Sequence, residues 1–503
     1  MTVFAAALLL ACELVAAPAK GAPNQETRAH SGSLPLSRLE VIRRAADQNP
    51  QVAAARSDIL RAQAQAGRVE AARHPEITVL SFISTALRAE TVGAHSPQST
   101  RSVYSLRLED LTAAFGTSIT LTQPLYTFGK IDLRQEATEH AERAGEATTK
   151  MTQADVALEA VKLYETHLMA REALVFLDEI EAYTQKAIDE AETHLEDHDP
   201  DASEEDVLRL KTGLAILRMG RHQAEAGLEQ TREGLRAYLN LEDDAVLAPS
   251  ETAFAPLTMP TPTPGPTPTG APIGASTSTT APTSGSNANE KASAPPHLVA
   301  LAFERRPELK ALRHGIAGYE KLAQAIEADY YPDIFLYGIL SGAYTPGREY
   351  QTSRYVFDPL AHFLPAALIG ARWTLRWDAP THEAAEVRAD VARLAGLLEW
   401  ANHGIPAELN KAYQDADRAR RDLSELDRTL PLTKQWAVRA SADYGIGLGT
   451  SRSIADAATA YVQMKVASLD AVYRLNVALA ELAKATGTLT DGEGTIYPGS
   501  HSP

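Results

Sequence analysis

The chain has 503 residues, a formal net charge of −17 and one cysteine, Cys12. An acidic chain with no compensating basic stripe is excluded as a general nucleic-acid binder, which needs a basic face. A lone cysteine excludes a disulfide framework or a cysteine-based zinc site in the mature body.

Residues 1–22 read as a targeting segment. Val3 to Ala11 is an unbroken apolar run, with small residues at Ala16-Ala17 and between Ala19 and Ala22. Glu13 interrupts it before the ~20 apolar residues that a membrane helix needs. Leu9-Leu10-Ala11-Cys12 is an imperfect lipoprotein-type site. Two outcomes stay open, cleavage near residues 17–22 and lipidation of Cys12, and both export the chain.

Leu36 to His74 predicts helix, interrupted at Asn49-Pro50 because proline disfavours helix in the residue before it. Glu76 to about Arg88 contains a strand-like core, Ile77 to Ile83, residues 91–114 have a loop composition, and Thr117 to Tyr126 reads as a second strand. Ile131 to about Leu195 is rich in Ala, Glu, Leu, Gln and Lys and lacks proline, which predicts a helix of about 97 Å. That length suits a coiled-coil-like element rather than a globular core. After a turn at His198-Asp199-Pro200-Asp201, a further helix runs from Ser203 to about Leu241. Residues 249–296 are almost entirely Pro, Thr, Ser, Gly and Ala and read as a linker.

The plan then repeats. Arg306-Pro307-Glu308-Leu309 echoes Asn49-Pro50-Gln51-Val52, and Tyr331-Pro332-Asp333-Ile334 echoes His74-Pro75-Glu76-Ile77. Strands follow over Asp333 to Ala343 and Ala366 to Trp377, then a long helix from Thr381 to about Asp443. Pro406 and Pro431 predict a break or kink in it. The turn Tyr444 to Ser451 leads into a last helix ending near Thr486. The units are therefore 36–248 and 297–489, with the linker 249–296 between them and a tail, 490–503.

The strand ending at Trp377 alternates. Ile369, Ala371 and Trp373 occupy one face, and Arg372, Thr374 and Arg376 the other. Such a strand could belong to a half-exposed soluble sheet. A second copy, and the length of each attached helix, favour a strand in a membrane barrel. Four strands cannot close a barrel, and open edges in lipid leave backbone groups unsatisfied. Chains must then pool strands, and three of them supply twelve. The predicted fold class is an α+β membrane protein. Its halves are duplicated strand–strand–long-helix–long-helix units, and its trimeric twelve-stranded β-barrel is continued by an α-helical coiled-coil barrel. On this reading Arg372, Thr374 and Arg376 face the lumen, and Ile369, Ala371 and Trp373 the lipid.

The run Leu121-Thr122-Gln123-Pro124-Leu125-Tyr126-Thr127-Phe128-Gly129-Lys130, the two helical halves and the segment Tyr444 to Ala458 resemble the TolC-type outer-membrane efflux proteins. The resemblance implies a homotrimer in outer-membrane lipid of a Gram-negative bacterium, with a large periplasmic part. It implies a periplasmic adaptor (membrane fusion) protein and an inner-membrane pump or ABC transporter as partners. Cargo would pass through without chemistry, cofactor or metal, in a tripartite efflux or type I secretion system. Ile446-Gly447-Leu448-Gly449-Thr450 is similar to the family's tip motif, where the adaptor docks. Asp456 keeps one of the carboxylates that constrict the closed tunnel in this family, and Ser453 stands where the other would be. Glu205 and Asp206 would add to that ring from the other hairpin. A lone Asp at a helix start could instead serve only as a dipole partner.

Other candidates weigh less. His194 and His198, at i and i+4, have metal-binding spacing, but the adjoining turn interrupts their helix face. Trp373 and Trp377 suit an interfacial girdle, with a buried-core role as the alternative for Trp377, close to the helix start. No nucleophile–base constellation or phosphate-cradling loop stands out, so no enzyme is expected. The competing reading is a soluble periplasmic coiled-coil adaptor or structural scaffold.

Overall fold

Two helices of 67 residues, α3 (Lys130–Glu196) and α7 (Ala379–Gly445), set the length of the molecule at about 100 Å. The computed structural model describes residues 34–87, 111–197, 203–242, 247–259, 293–348, 357–446 and 448–491. Cys12 with the rest of segment 1–22, His198 to Asp201, and Gly447 lie outside the described residues.

Six elements correspond in order between the two halves, and the first half has two short strands besides. The first contains β1 (Leu34–Leu36), α1 (Arg38–Gln48), α2 (Pro50–Ala71), β2 (Glu76–Leu87), β3 (Leu111–Tyr126), α3, α4 (Glu204–Leu239) and β4 (Leu247–Pro249). The second contains α5 (Pro296–Arg305), α6 (Pro307–Glu327), β5 (Asp333–Tyr344), β6 (His362–Arg372), α7 and α8 (Ser451–Ala485). The residues before Pro50 and Pro307, which start corresponding helices, do the same work in both halves. Asn49 donates from Nδ2 to the Tyr238 carbonyl at 2.9 Å, and Arg306 donates from Nε to the Ala485 carbonyl at 2.6 Å. Each side chain thus satisfies a carbonyl that the end of α4 or α8 would otherwise orphan.

β2, β3, β5 and β6 form one antiparallel sheet in that order. α3 lies among its own chain's elements, against α2 and α6 and, elsewhere along its length, α4, α1 and α8, while α7 packs on α6 and α8. Each strand-to-helix turn places an aromatic residue in left-handed backbone, Phe128 at φ 52° and Trp377 at φ 34°. An L-residue pays for this conformation, so neighbours must hold it; Phe128 stacks on Tyr331 with ring centroids 5.3 Å apart.

Several expectations are corrected. β3 begins at Leu111, inside the expected loop, because β2 runs on to Leu87 and pairs with it. β6 ends at Arg372, because its partner β5 begins at Asp333, opposite Arg372, and leaves nothing further to pair with. α7 continues through Pro406 and Pro431. Ile405 and Leu409, fully buried or nearly so, pack the helix on both sides of Pro406, and that tertiary packing offsets the lost backbone bond. The linker is also shorter than its composition suggested: Phe254 and Ala294 are buried in the main core.

A buried polar hub near the middle of the shaft joins the halves. The Glu165 carboxylate, fully buried on α3, accepts from Arg38 Nε at 2.5 Å and from Asn476 Nδ2 of α8 at 2.8 Å. Asn476 Oδ1 in turn accepts from the Leu257 amide at 2.8 Å. Tyr164 donates to the Leu36 carbonyl at 2.6 Å and to Glu251, and burial and Glu251 push its phenol up. β1 and β4 pair in parallel beside this hub. It straps the segments at the start of α1 and after α4, through Leu36, Arg38, Glu251 and Leu257, onto α3 and α8.

A second buried polar group, His167, contacts Thr231 across the α3–α4 interface at 3.2 Å. Burial, with Arg232 and Arg171 nearby, lowers its pKa to about 4. The unfolded imidazole takes its proton near pH 6.5. The stabilisation is therefore complete above that pH and is lost as pH falls towards about 4. The loss is on the order of 3 kcal/mol. His167→Gln is expected to flatten the urea-unfolding stability profile between pH 7.5 and 4.5, and parallel profiles for both proteins would exclude this role.

Candidate functional site

The register sorts the sheet into two unlike faces. On one lie Ile77 and Val79 of β2, Ile119 and Leu121 of β3, Leu336 and Leu340 of β5, and Phe363, Ile369 and Ala371 of β6. No Asp, Glu, Lys, Arg or His of the four strands falls on it. Its Ser81 and Thr117 hydroxyls are cross-strand partners 3.1 Å apart, so each satisfies the other. The opposite face carries Glu76, Asp333, Arg372 and His362 with a series of Ser and Thr hydroxyls. Both are open to solvent in the single chain: Ile369 is 71% exposed and Leu368 50%.

Ile369 and Ala371 thus share the uncharged face, and Arg372 stands on the charged one, 3.8 Å from Asp333. Trp373, Thr374 and Arg376 do not belong to the strand at all, so the alternation assigned to them is corrected. They form the strand-to-helix connector. The Trp373 indole donates to the Tyr330 carbonyl at 2.9 Å, and Arg376 pairs with Asp329 at 3.1 Å and Glu383 at 2.8 Å. Trp377 is 85% exposed at the same level, so it is not a core residue.

The outer strands, β2 and β6, each have one unpaired edge within the chain. Three successive antiparallel pairings leave β6 antiparallel to β2. Copies placed around an axis therefore continue one wholly antiparallel ladder, which is how an exposed edge is removed without capping.

At the opposite end of the long helices, Ile446 and Leu448 project 69% and 81% exposed. The amides of Leu448 and Gly449 both donate to the Asp443 carbonyl at 2.9 Å, which turns the chain sharply. A Cβ on Gly449 would lie 2.8 Å from the Tyr444 nitrogen, so this position requires glycine. Thr450 caps α8 by accepting from the Ser453 amide at 3.3 Å, and the Ser453 hydroxyl donates back to the Thr450 carbonyl at 2.7 Å. Ser453 is thereby engaged in the cap.

Asp456 is exposed one turn further along α8, beyond the first turn, so the dipole-partner reading does not describe it. Glu205 and Asp206 sit in the first turn of α4 and share Arg209, at 2.6 and 3.6 Å. One guanidinium offsets one of these two charges, and the first turn of α4 stays acidic. Among the described residues no group of three or more His, Cys, Asp or Glu side chains could hold a metal ion. No described helix is long and apolar enough to cross a membrane.

The chain thus combines an open antiparallel sheet with one uncharged face and paired helices of about 100 Å that continue from it. Residues 41–197, from α1 to the end of α3, match the family described as outer membrane efflux protein. Among solved structures the chain is similar to the CusC channel, at 16% identity and a TM-score of 0.65, covering 93% of this chain and 97% of that one. A membrane protein from Pseudomonas aeruginosa matches at 16% identity and a TM-score of 0.68, covering 90% and 93%. The CmeC outer membrane channel of Campylobacter jejuni matches at 14% identity and a TM-score of 0.66, covering 90% and 86%. At these identities the likeness is one of fold. No curated protein matches the sequence.

Proposed function

We propose that three copies of this chain assemble into an exit duct, a twelve-stranded barrel in the outer membrane continued by a helical tunnel through the periplasm. The observation that carries this reading is the sheet. Its uncharged face suits lipid, its charged and hydroxylated face suits a lumen, and its two free edges are oriented to pair between copies. Connector residues Trp373, Trp377, Tyr330 and Tyr331 suit the membrane–water boundary, where amphipathic rings settle. The exposed apolar turn at Ile446 and Leu448 is the docking surface for a periplasmic adaptor, which hands cargo from an inner-membrane pump. The first-half hairpin has Glu196, Asp197 and Glu204 about its tip and would take a basic partner. The duct moves cargo without chemistry.

Purified protein added to a planar bilayer tests this reading: discrete single-channel openings are expected, and recovery of the mature protein solely as a soluble periplasmic species would sink it. Within the duct, three Asp456 carboxylates form a ring that favours cations. Asp456→Ala is expected to weaken block by a trivalent cation roughly tenfold, the loss of about 1.4 kcal/mol at a multivalent site. Unchanged block together with unchanged conductance removes Asp456 from the gate.

A further inference from the structure

The two halves meet in the shaft as well as in the sheet. β3 and β5 are neighbours in the sheet, and the helices joined to them, α3 and α6, stay packed together beyond it. At Gly318 of α6 the helices touch closely: an added Cβ would lie 3.2 Å from both the Ala137 carbonyl oxygen and the His140 Cβ. One turn away, Nδ1 of His140 on α3 and Nδ1 of His314 on α6 stand 3.2 Å apart, both rings half-buried. The ring centroids are 5.5 Å apart, so the imidazoles meet edge to edge through those nitrogens instead of stacking.

Two facing ring nitrogens make a hydrogen bond only when one proton lies between them. A neutral pair meets that condition, with one ring as the Nδ1–H tautomer and the other as acceptor. So does a pair with one extra proton, which then resides on the outer Nε2 of the donor ring. A pair with two extra protons cannot: two N–H groups and two positive charges face each other across 3.2 Å. The surroundings do not absorb that charge. Burial, His140 and Arg143 hold the His314 pKa below the usual imidazole range, with Glu146 acting the other way. Glu136, a turn from His140, is engaged by Lys321 of α6 at 2.7 Å, and Glu142 accepts from Gln63 of α2 at 2.7 Å. Lys150 and Lys310 line the cavity beside His314 and add positive charge. From α7, Leu394 reaches Gly315, and its neighbour Arg393 is held by Asp390 of the same helix at 3.2 Å.

The geometry points to a proton-counting latch between the two halves: the His140–His314 contact holds α3 to α6 while the pair carries at most one extra proton, and releases that seam when it takes a second. A neutral His314 contributes its stability in full above about pH 6.5. That contribution is lost as pH falls through its lowered pKa. Acid thus loosens the shaft near the sheet and leaves the Glu165 hub, 25 positions further along α3, in place. The latch belongs to the single chain and does not depend on the duct reading.

Hydrogen exchange of the intact protein in detergent micelles, read at pH 7.5 and 4.5 and corrected for the intrinsic pH dependence of exchange, tests this. Segments 136–144 and 310–320 are expected to exchange roughly tenfold faster at the lower pH, as a seam that opens locally does. His140→Gln keeps a hydrogen bond at either pH, because its amide donates to the neutral His314 ring and turns to accept from the protonated one. In that variant the two segments are expected to exchange alike at both pH values, and His314→Gln makes the same comparison if the first does not fold. A His167→Gln background keeps the acid sensitivity of the α3–α4 interface out of the measurement. Equal exchange at the two pH values in the protein that retains both histidines overturns the latch, and so does an acid rise that persists in full in His140→Gln.

Discussion

Arg38→Ala is expected to destabilise the protein by about 3–5 kcal/mol, the cost of stranding a buried charge whose partner is removed. Glu165 is fully exposed to that loss. It is completely buried, its two oxygens accept from Arg38 and Asn476, and water cannot replace the guanidinium without opening the seam between α3 and α8. Removing the buried Glu165 charge together with Arg38 should cost less than removing Arg38 alone, so Arg38→Met with Glu165→Leu is expected to recover much of the stability, short of what the partly exposed Glu251 loses with its own 3.5 Å contact to Arg38. An exposed pair supplies the contrast. Arg43→Ala, which breaks a contact to Glu40 on the surface of α1, should change stability by less than about 1 kcal/mol. Urea denaturation of the four proteins reads these differences directly, and equal losses for Arg38→Ala and the double variant would show that the hub is not held by its charges.

Ile369→Arg and Leu368→Arg should differ sharply although the residues are neighbours on β6. The first places a guanidinium on the face that carries no charge, at a cost of about 2–4 kcal/mol near the bilayer midplane. The second places it on the face already bearing Arg372, Asp333 and Glu76. Only the first is expected to reduce the amount of protein recovered in outer-membrane fractions and to lower its unfolding midpoint in lipid. Equal damage from both would remove the distinction between the faces, and greater damage from Leu368→Arg would reverse it.

The long elements were legible because their physics is local. A proline-free, Ala- and Glu-rich run of more than sixty residues has no ready alternative to helix, and α3 follows that prediction to within two residues at each end. The duplication was legible for a similar reason: Pro50 and Pro307 start corresponding helices in the two halves. What sequence could not show depended on partners distant along the chain. β6 reads as alternating through Trp377, but a strand ends where its neighbour ends, and β5 begins opposite Arg372. Pro406 reads as a break, yet α7 is held by burial of Ile405 and Leu409 around it. β1 and β4 are three residues each and exist only because the hub brings them together.

The candidate sites divide along the same line. The tip turn follows from its glycines, and the requirement for Gly449 is visible as a close approach to Tyr444. The pairing of Glu205 and Asp206 with Arg209 has an i+4 and i+3 spacing that the sequence does contain. The hub had one signal, a charged Glu165 in the stripe that also holds Val161 and Leu168, both buried on α3. A carboxylate in that stripe needs a partner, but nothing local names Arg38, 127 positions away.

The most direct test of the assembly is a cysteine cross-link between the two free sheet edges. Cys12 is the chain's one cysteine, so cysteines introduced along β2 and β6 can be paired without background once that residue is replaced. If the sheet is one third of a closed barrel, oxidation of membranes will join β2 of one copy to β6 of the next in a single antiparallel register. The covalent product will then stop at three chains. A product that stops at one or two chains, or a ladder that continues beyond three, would contradict the closed twelve-stranded barrel.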